Sequence, residues 1–198
     1  MNIICNNCVG ARLYEVTKRQ FPNPFMWMIM TPGDFISLAN SFDEIDLKNV
    51  KFELERYKKN QFDSVLTTLP GDIKLHFIHY IQDDVKIVPT KEKNTNILYK
   101  DILGYASEKW YKRLERMNED PVFVFSFNYM SPDHPAYNET LNQLKQIAAK
   151  WLIILMHDGL KIDADGFSNK TDIIKFDHGI MSLNGTNLAN AIASYVFK

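Results

Sequence analysis

Two cysteines, five histidines and a pair of arginines three residues apart carry most of the chemistry open to this 198-residue chain. The cysteines stand at its start, in Ile3-Ile4-Cys5-Asn6-Asn7-Cys8-Val9-Gly10, where a short apolar run breaks into a polar turn. An amphipathic segment, Ala11 to Arg19, follows at once, so the order reads strand, turn, helix. Such a junction turns backbone N–H groups and the positive end of the helix dipole toward a side chain in the turn, and Cys8 is the best placed. A thiol there should ionise more readily and attack faster. The alternative is a small buried hydrophobe, the usual state of a free cysteine. Cys5, three residues earlier, is expected still to lie in the strand.

A nucleophile needs a base within hydrogen-bond reach. His76 and His79 share the segment Ile73 to Tyr80, but an i, i+3 pair on a strand points to opposite faces, so only one faces a given site. His178 ends a strand beside Asp177 and precedes the last helix, a usual place for a base and its partner in α/β hydrolytic folds. His134 and His157 fall in loops. Cys5-x2-Cys8 with His76-x2-His79 has the ligand types of tetrahedral zinc, but two rings at that spacing on a strand do not chelate one ion, and no metal is expected. The Cys-x-x-Cys at a strand–helix turn also suits a thioredoxin-like redox site, although nothing downstream follows the thioredoxin pattern. Arg113 and Arg116 are neighbours on one helix face, where two guanidinium forks suit a phosphate or carboxylate. The competing reading is a solvated face with local Glu–Arg pairing.

The elements that would position these residues follow from hydrophobic period and turn residues. Prolines at 22 and 24 stop the first helix and begin a very apolar stretch, Phe21 to Met30, readable as strand or buried loop. A short helix is expected over Asp34 to Phe42. Strands are expected over Asn49 to Arg56, Phe62 to Leu69 and Ile73 to Tyr80, the second closed by Pro70-Gly71, as an antiparallel excursion. Asp83 to Thr95 reads as a loop and Asp101 to Asn118 as a helix. The rhythm then becomes regular: strand Val122 to Phe127, helix Tyr137 to Lys150, strand Trp151 to Met156, an Asp/Gly-rich loop, strand Asp172 to Phe176 and helix Thr186 to Phe197. Such alternation predicts a three-layer, Rossmann- or flavodoxin-like α/β fold, mostly parallel, with helices on both faces. In such sheets ligands gather beyond the carboxyl ends of strands. Those ends are Cys5 to Cys8, Asn128, His157-Asp158 and Asp177-His178.

Composition sets the frame. A chain of this length with 45% hydrophobic residues is expected to bury one core as a single domain over residues 1–198. Its 23 Lys and Arg nearly balance 24 Asp and Glu, so no global field draws it to nucleic acid or an anionic membrane. No apolar run has the length of a membrane span and the N-terminus lacks the regions of a signal peptide, which gives the expectation of a cytoplasmic protein. In that reducing compartment the cysteines would remain thiols.

The order of Asn6-Asn7-Cys8-x-Gly10 with Leu13-Tyr14, Asp34-Phe35, His76-Phe77-Ile78-His79-Tyr80 and Trp110-x2-Arg113-x2-Arg116-x-Asn118 resembles a bacterial family of unknown function often labelled exopolysaccharide biosynthesis protein. The likeness runs from Asn6 to about Phe127. Pro24-Phe25-Met26-Trp27 departs from that pattern and is similar to a neighbouring group labelled papain-like cysteine peptidases. Both groups share an early cysteine and a mid-chain histidine, so the resemblance selects Cys8 and His79. A second likeness links Asp177-His178 and the small-residue segment after Leu183 to the closing block of SGNH-type esterases and acetyltransferases. It implies Cys8 in place of the serine and Asn128 as oxyanion donor, but Asp and His are adjacent here and the usual Gly-Asp-Ser opening is absent.

Together these observations set the expectation of a cysteine-dependent acyl or related group transferase acting on a cell-surface polysaccharide or its nucleotide-linked precursor. Its catalytic residues would be Cys8 with His79 or His178, Asp177 and Asn128. Asn6, Asn7, Gly10, Trp110, Arg113 and Arg116 would hold the donor. No tightly bound cofactor is expected; a coenzyme A thioester is the candidate donor, with a glycan as acceptor and peripheral association with a polysaccharide assembly complex. The alternatives are a hydrolase or peptidase with the same nucleophile, and a noncatalytic carbohydrate- or nucleotide-binding module.

Overall fold

A computed structural model describes residues 2–56, 63–77, 95–127, 130, 133–147, 150–159, 162, 164–176, 189–190 and 192–193. The opening run forms β1, Asn2–Cys5, with all four residues buried, and α1, Val9–Val16, follows after one turn. Residues 21–30 are a buried loop over most of their length and give only a two-residue strand, β2, Met28–Ile29. Thr31 caps α2, Pro32–Ser41: its hydroxyl accepts the Asp34 N–H, and Pro32 stands where the helix has no N–H to satisfy. Asp34 also accepts the Lys74 N–H at 2.9 Å, tying the start of α2 to the later strand that carries Lys74.

The three expected antiparallel strands are β3, Lys51–Arg56, β4, Asp63–Leu69, and β5, Ile73–Phe77. Gly71 and Asp72 turn β4 into β5 with left-handed φ of 85° and 59°, which glycine and aspartate tolerate best. Next come α3, Thr95–Leu114, β6, Pro121–Ser126, α4, Ala136–Leu144, β7, Leu152–His157, and β8, Thr171–Phe176. Both α3 and α4 end short of the expected Asn118 and Lys150. In each, i to i−3 bonds tighten the last turn, Met117 N–H to Leu114 and Ile147 N–H to Leu144 among them. Of the expected last helix, 189–190 and 192–193 are described; they are helical, with Ala189 and Ile192 buried. The segment Asp83 to Thr95, expected as a loop, lies outside the described residues except for Thr95, which begins α3.

The fold is mixed α/β, with one parallel sheet ordered β1-β6-β7-β8 and one antiparallel sheet ordered β2-β5-β4-β3. Here the structure differs from the expected excursion: the antiparallel strands recruit β2 and make a four-stranded sheet of their own. β1 does not sit inside the parallel sheet but at its edge, pairing only with β6 among the described residues. A single cluster of buried apolar side chains joins both sheets. From α2, Phe35 sets its ring edge-on to Phe123 and Phe125 of the parallel sheet, with centroids 5.7 and 5.2 Å away. Trp110 of α3 lies between Phe25 and Phe52. Burial of each such aromatic contributes about 1.5–3 kcal/mol, so this cluster sets how the two sheets meet. No helix among the described residues is long and apolar enough to cross a membrane.

Candidate functional site

The turn between β1 and α1 lies at the carboxyl end of the parallel sheet, and its asparagines build it. Asn6 continues the β1–β6 ladder with its side chain: its amide oxygen accepts the Ser126 N–H at 2.8 Å and its Nδ2 donates to the Ser126 carbonyl at 3.2 Å. The Asn6 carbonyl accepts the Met30 N–H at 2.9 Å. The Asn7 side chain accepts the Val9 N–H at 3.0 Å, an Asx turn that fixes the entry to α1. Gly10 lets the helix approach the strand, since a Cβ there would lie 2.8 Å from Cys5 Cβ. Asn6, Asn7 and Gly10 thus shape the turn, and their polar groups are engaged within the protein.

The two thiols differ. Cys5 is buried, and its sulfur approaches the Asn7 and Asn6 side-chain oxygens at 3.4 and 3.7 Å. Burial pushes its thiol up to about 11, and the backbone N–H groups of Asn7, Gly10 and Asn6 directed at the sulfur hold the rise down. The amides at the helix start therefore serve Cys5. Cys8 occupies the N-cap position of α1 without using its side chain to cap, and is half-buried. Burial pushes its thiol up to about 12, the neighbouring Cys5 adds to the rise, and the Arg12 guanidinium opposes it. The position at the helix start predicts a lowered Cys8; the amides there are directed at Cys5, and desolvation disfavours the Cys8 thiolate more than one partly exposed cation favours it.

Residues 21–30 run beside β1 and the turn that follows it. Asn23, fully buried, donates to the Ile3 carbonyl and accepts the Phe25 N–H, both at 3.0 Å, so this segment covers the outer edge of β1. Trp27 adopts a left-handed φ of 65°, rare for a bulky residue. Arg12 lies over its ring at 4.7 Å and Phe21 meets it edge-on at 6.4 Å. Arg113, 4% exposed, lies 5.0 Å over Phe21 and donates to the Met26 carbonyl at 3.4 Å. Arg116 donates to the Phe21 carbonyl at the same distance. The expected anion-binding pair instead clasps the 21–30 segment to α3. Trp110 is a core residue as well, 1% exposed and donating its indole N–H to the Leu47 carbonyl.

His79, Asp177, His178 and Asn128 lie outside the described residues. The strands that precede them are described. β6, after which Asn128 follows Phe127, is the direct neighbour of β1, whereas β8, which leads to Asp177 and His178, is three strand spacings away, about 14 Å. β5 approaches from the other side. Ile29 pairs with His76 of β5, and the next residue, Met30, bonds the Asn6 carbonyl. His76 itself is held at 2.7 Å by Glu55, and His134 accepts the Ala136 N–H at the start of α4. An open groove of about 340 Å³ beside Phe42, Met117 and Glu119 lies at the start of β6, the opposite end of the sheet from Cys8. Arg12 and Asn23 are not among the residues the sequence points to, and Trp27 enters there only as part of Pro24-Phe25-Met26-Trp27. Arg12 had a usable signal, its i+4 spacing from Cys8, but nothing marked the backbone of Trp27.

Residues 1–86 match the family described as "Domain of unknown function (DUF1919)", a region that holds Cys8, Arg12, Trp27 and His79. The chain is also similar to an uncharacterized protein of Haemophilus influenzae, 26% identical over 158 residues. That alignment covers 79% of this chain and 62% of the relative, so the chain spans less than two thirds of the relative's length. The family likeness expected from the sequence is thus supported as far as a family of unknown function; the label of exopolysaccharide biosynthesis stays with the proposal below.

Proposed function

We propose that this protein is a cysteine-dependent acyl or related group transferase, with Cys8 as nucleophile, acting on a cell-surface polysaccharide or its nucleotide-linked precursor. One observation carries the reading: a half-buried thiol at the N-cap of α1, at the carboxyl end of β1, whose side chain does no capping. With the thiol pushed up to about 12, only on the order of one molecule in 10⁵ carries a thiolate at pH 7, so a base must take the proton as the bond forms. His79 is the first candidate, because β5 reaches the Cys8 turn through β2. His178 with Asp177 is the second, and the three spacings between β8 and β1 count against it.

The donor is an acyl thioester such as that of coenzyme A. The Cys8 sulfur attacks the carbonyl carbon while the histidine accepts the thiol proton, and Asn128, next to the end of β6, donates to the oxyanion. Collapse expels the donor's thiolate, which takes that proton and leaves a thioester on Cys8. A sugar hydroxyl, deprotonated by the same histidine, then attacks the thioester, and the departing Cys8 sulfur recovers the proton. A cytoplasmic site at the edge of a polysaccharide assembly complex, in a three-layer α/β fold, completes the proposal.

The raised thiol favours a second reading, a glycan- or nucleotide-binding module in which Cys8 only packs. Intact-mass analysis after incubation with acetyl-coenzyme A separates the two. The transferase gains one acetyl group that is absent in Cys8→Ser. Absence of an adduct, together with saturable binding of a nucleotide sugar to Cys8→Ser, sinks the first reading and supports the second.

A further inference from the structure

Arg113 and Arg116 hold backbone carbonyls, but another arginine shares the Cys8 face of α1. Arg12 lies one helical turn after Cys8, and its N–H closes the first turn of α1 on the Cys8 carbonyl at 3.0 Å. Its side chain is 38% exposed, with Nη1 on Glu15 at 2.7 Å and its face on the Trp27 ring. Guanidinium stacked on an aromatic and held along one edge loses little freedom when it receives a second, planar oxyanion. The platform is itself unusual. Trp27 is a buried, bulky residue in the left-handed region, a conformation that costs on the order of 1–3 kcal/mol and persists only where the surroundings enforce it. Here Asn23 and Met30 bond the segment on both sides of it to β1 and its turn. Such strain, placed under the guanidinium one helical turn from Cys8, pre-sets the height and tilt of that cation.

We infer that Arg12, laid on Trp27, is the specificity residue of the Cys8 site and seats a phosphate or carboxylate of the substrate next to the carbon that the sulfur attacks. This rests on Cys8 being the nucleophile, and it narrows the substrate class to molecules with an anionic group near the reacting centre.

The test compares Cys8 alkylation by iodoacetate, an anion, and iodoacetamide, its neutral counterpart, with the site assigned by peptide mass spectrometry. The ratio of the two rates cancels the thiolate fraction, which Arg12 also affects, and leaves the recruitment of the anion. Relative to glutathione, the wild-type ratio should favour iodoacetate by about fivefold, the factor for a charge pair at contact near water. Arg12→Gln should bring it to the glutathione value, Arg12→Lys should retain part of it, and inorganic phosphate should suppress it in the wild type alone. A ratio equal in wild type and Arg12→Gln overturns the inference while leaving Cys8 as nucleophile untouched. If Cys8 reacts with neither reagent, the nucleophile reading fails, and calorimetric titration with pyrophosphate decides on Arg12: binding lost in Arg12→Gln retains the anion site, and no binding to the wild type removes it.

Discussion

At Cys8 two consequences of position oppose each other, and their magnitudes decide between them. Arg12 favours the thiolate, but removal of water from the sulfur costs more, the neighbouring Cys5 adds to that cost, and the thiol rises from 9.0 to about 12. Native Cys8 should therefore react slowly with iodoacetamide near pH 7, with a rate that keeps climbing about tenfold per pH unit through pH 9 and 10. A plateau below pH 8.5 would show that the thiolate is favoured after all. Cys5, at 1% exposure, should label only when the protein unfolds. The strand–turn–helix order that sets Cys8 at the start of α1 was legible in the sequence, because that pattern is local. The path of Phe21 to Met30 was not legible, since that apolar stretch fits a strand and a buried loop equally well. The partners of Arg113 and Arg116 were hidden for the same reason: spacing put the two on one face, and only the tertiary fold set that face against the carbonyls of Met26 and Phe21.

At the scale of elements, the contact between α1 and β1 has a sign that can be tested. Alanine in place of an unconstrained helical glycine stabilises by about 1 kcal/mol. At Gly10 the new Cβ would lie 2.8 Å from Cys5 Cβ, an atom fixed to a buried strand, so the helix must move away. Gly10→Ala should lower stability by about 1–3 kcal/mol in urea unfolding, the usual cost of overpacking; a gain would mean that the helix adjusts freely. The clasp on α3 gives a second test. Arg113→Met keeps most of the volume but removes the donor to Met26 and the cation over Phe21. It should speed amide exchange across residues 21–27 more than in the β6–β7 pair, and uniform exchange would place the arginine's role elsewhere. Element types were largely legible, because α2, the antiparallel strands and the later β/α alternation each show a clear period. Ends were less so. Asn7 starts α1 at Val9 rather than Ala11 through a side-chain bond that periodicity does not contain.

For the whole molecule, strand order is what the sequence could not provide, because hydrophobic pattern fixes which face of a strand is buried and not which strand lies beside it. That order places β6 next to the Cys8 turn, β5 one intervening strand away and β8 at the far edge of the parallel sheet. The buried turn also couples the thiol to global stability. In the unfolded chain both cysteines ionise near their ordinary 9.0, whereas in the folded protein they hold their protons to about 11 and about 12. Below pH 9 both states keep the protons, and the contribution of the thiols to stability is fully present. Between about pH 9 and 12 the folded state binds more protons than the unfolded one, so stability falls as pH rises, by up to about 1.4 kcal/mol per pH unit for each group. Burial also raises Tyr14 and Tyr137, which steepens the loss above pH 10. Urea titrations of wild type and Cys8→Ala at intervals from about pH 8 to 10.5 isolate the share of one residue, since the other groups are common to both. The wild-type slope should be steeper by nearly one proton above about pH 10 and nearly the same at about pH 8. Equal slopes throughout would mean that water reaches the Cys8 sulfur in the folded protein, and its proton would be held no more tightly than in an ordinary thiol.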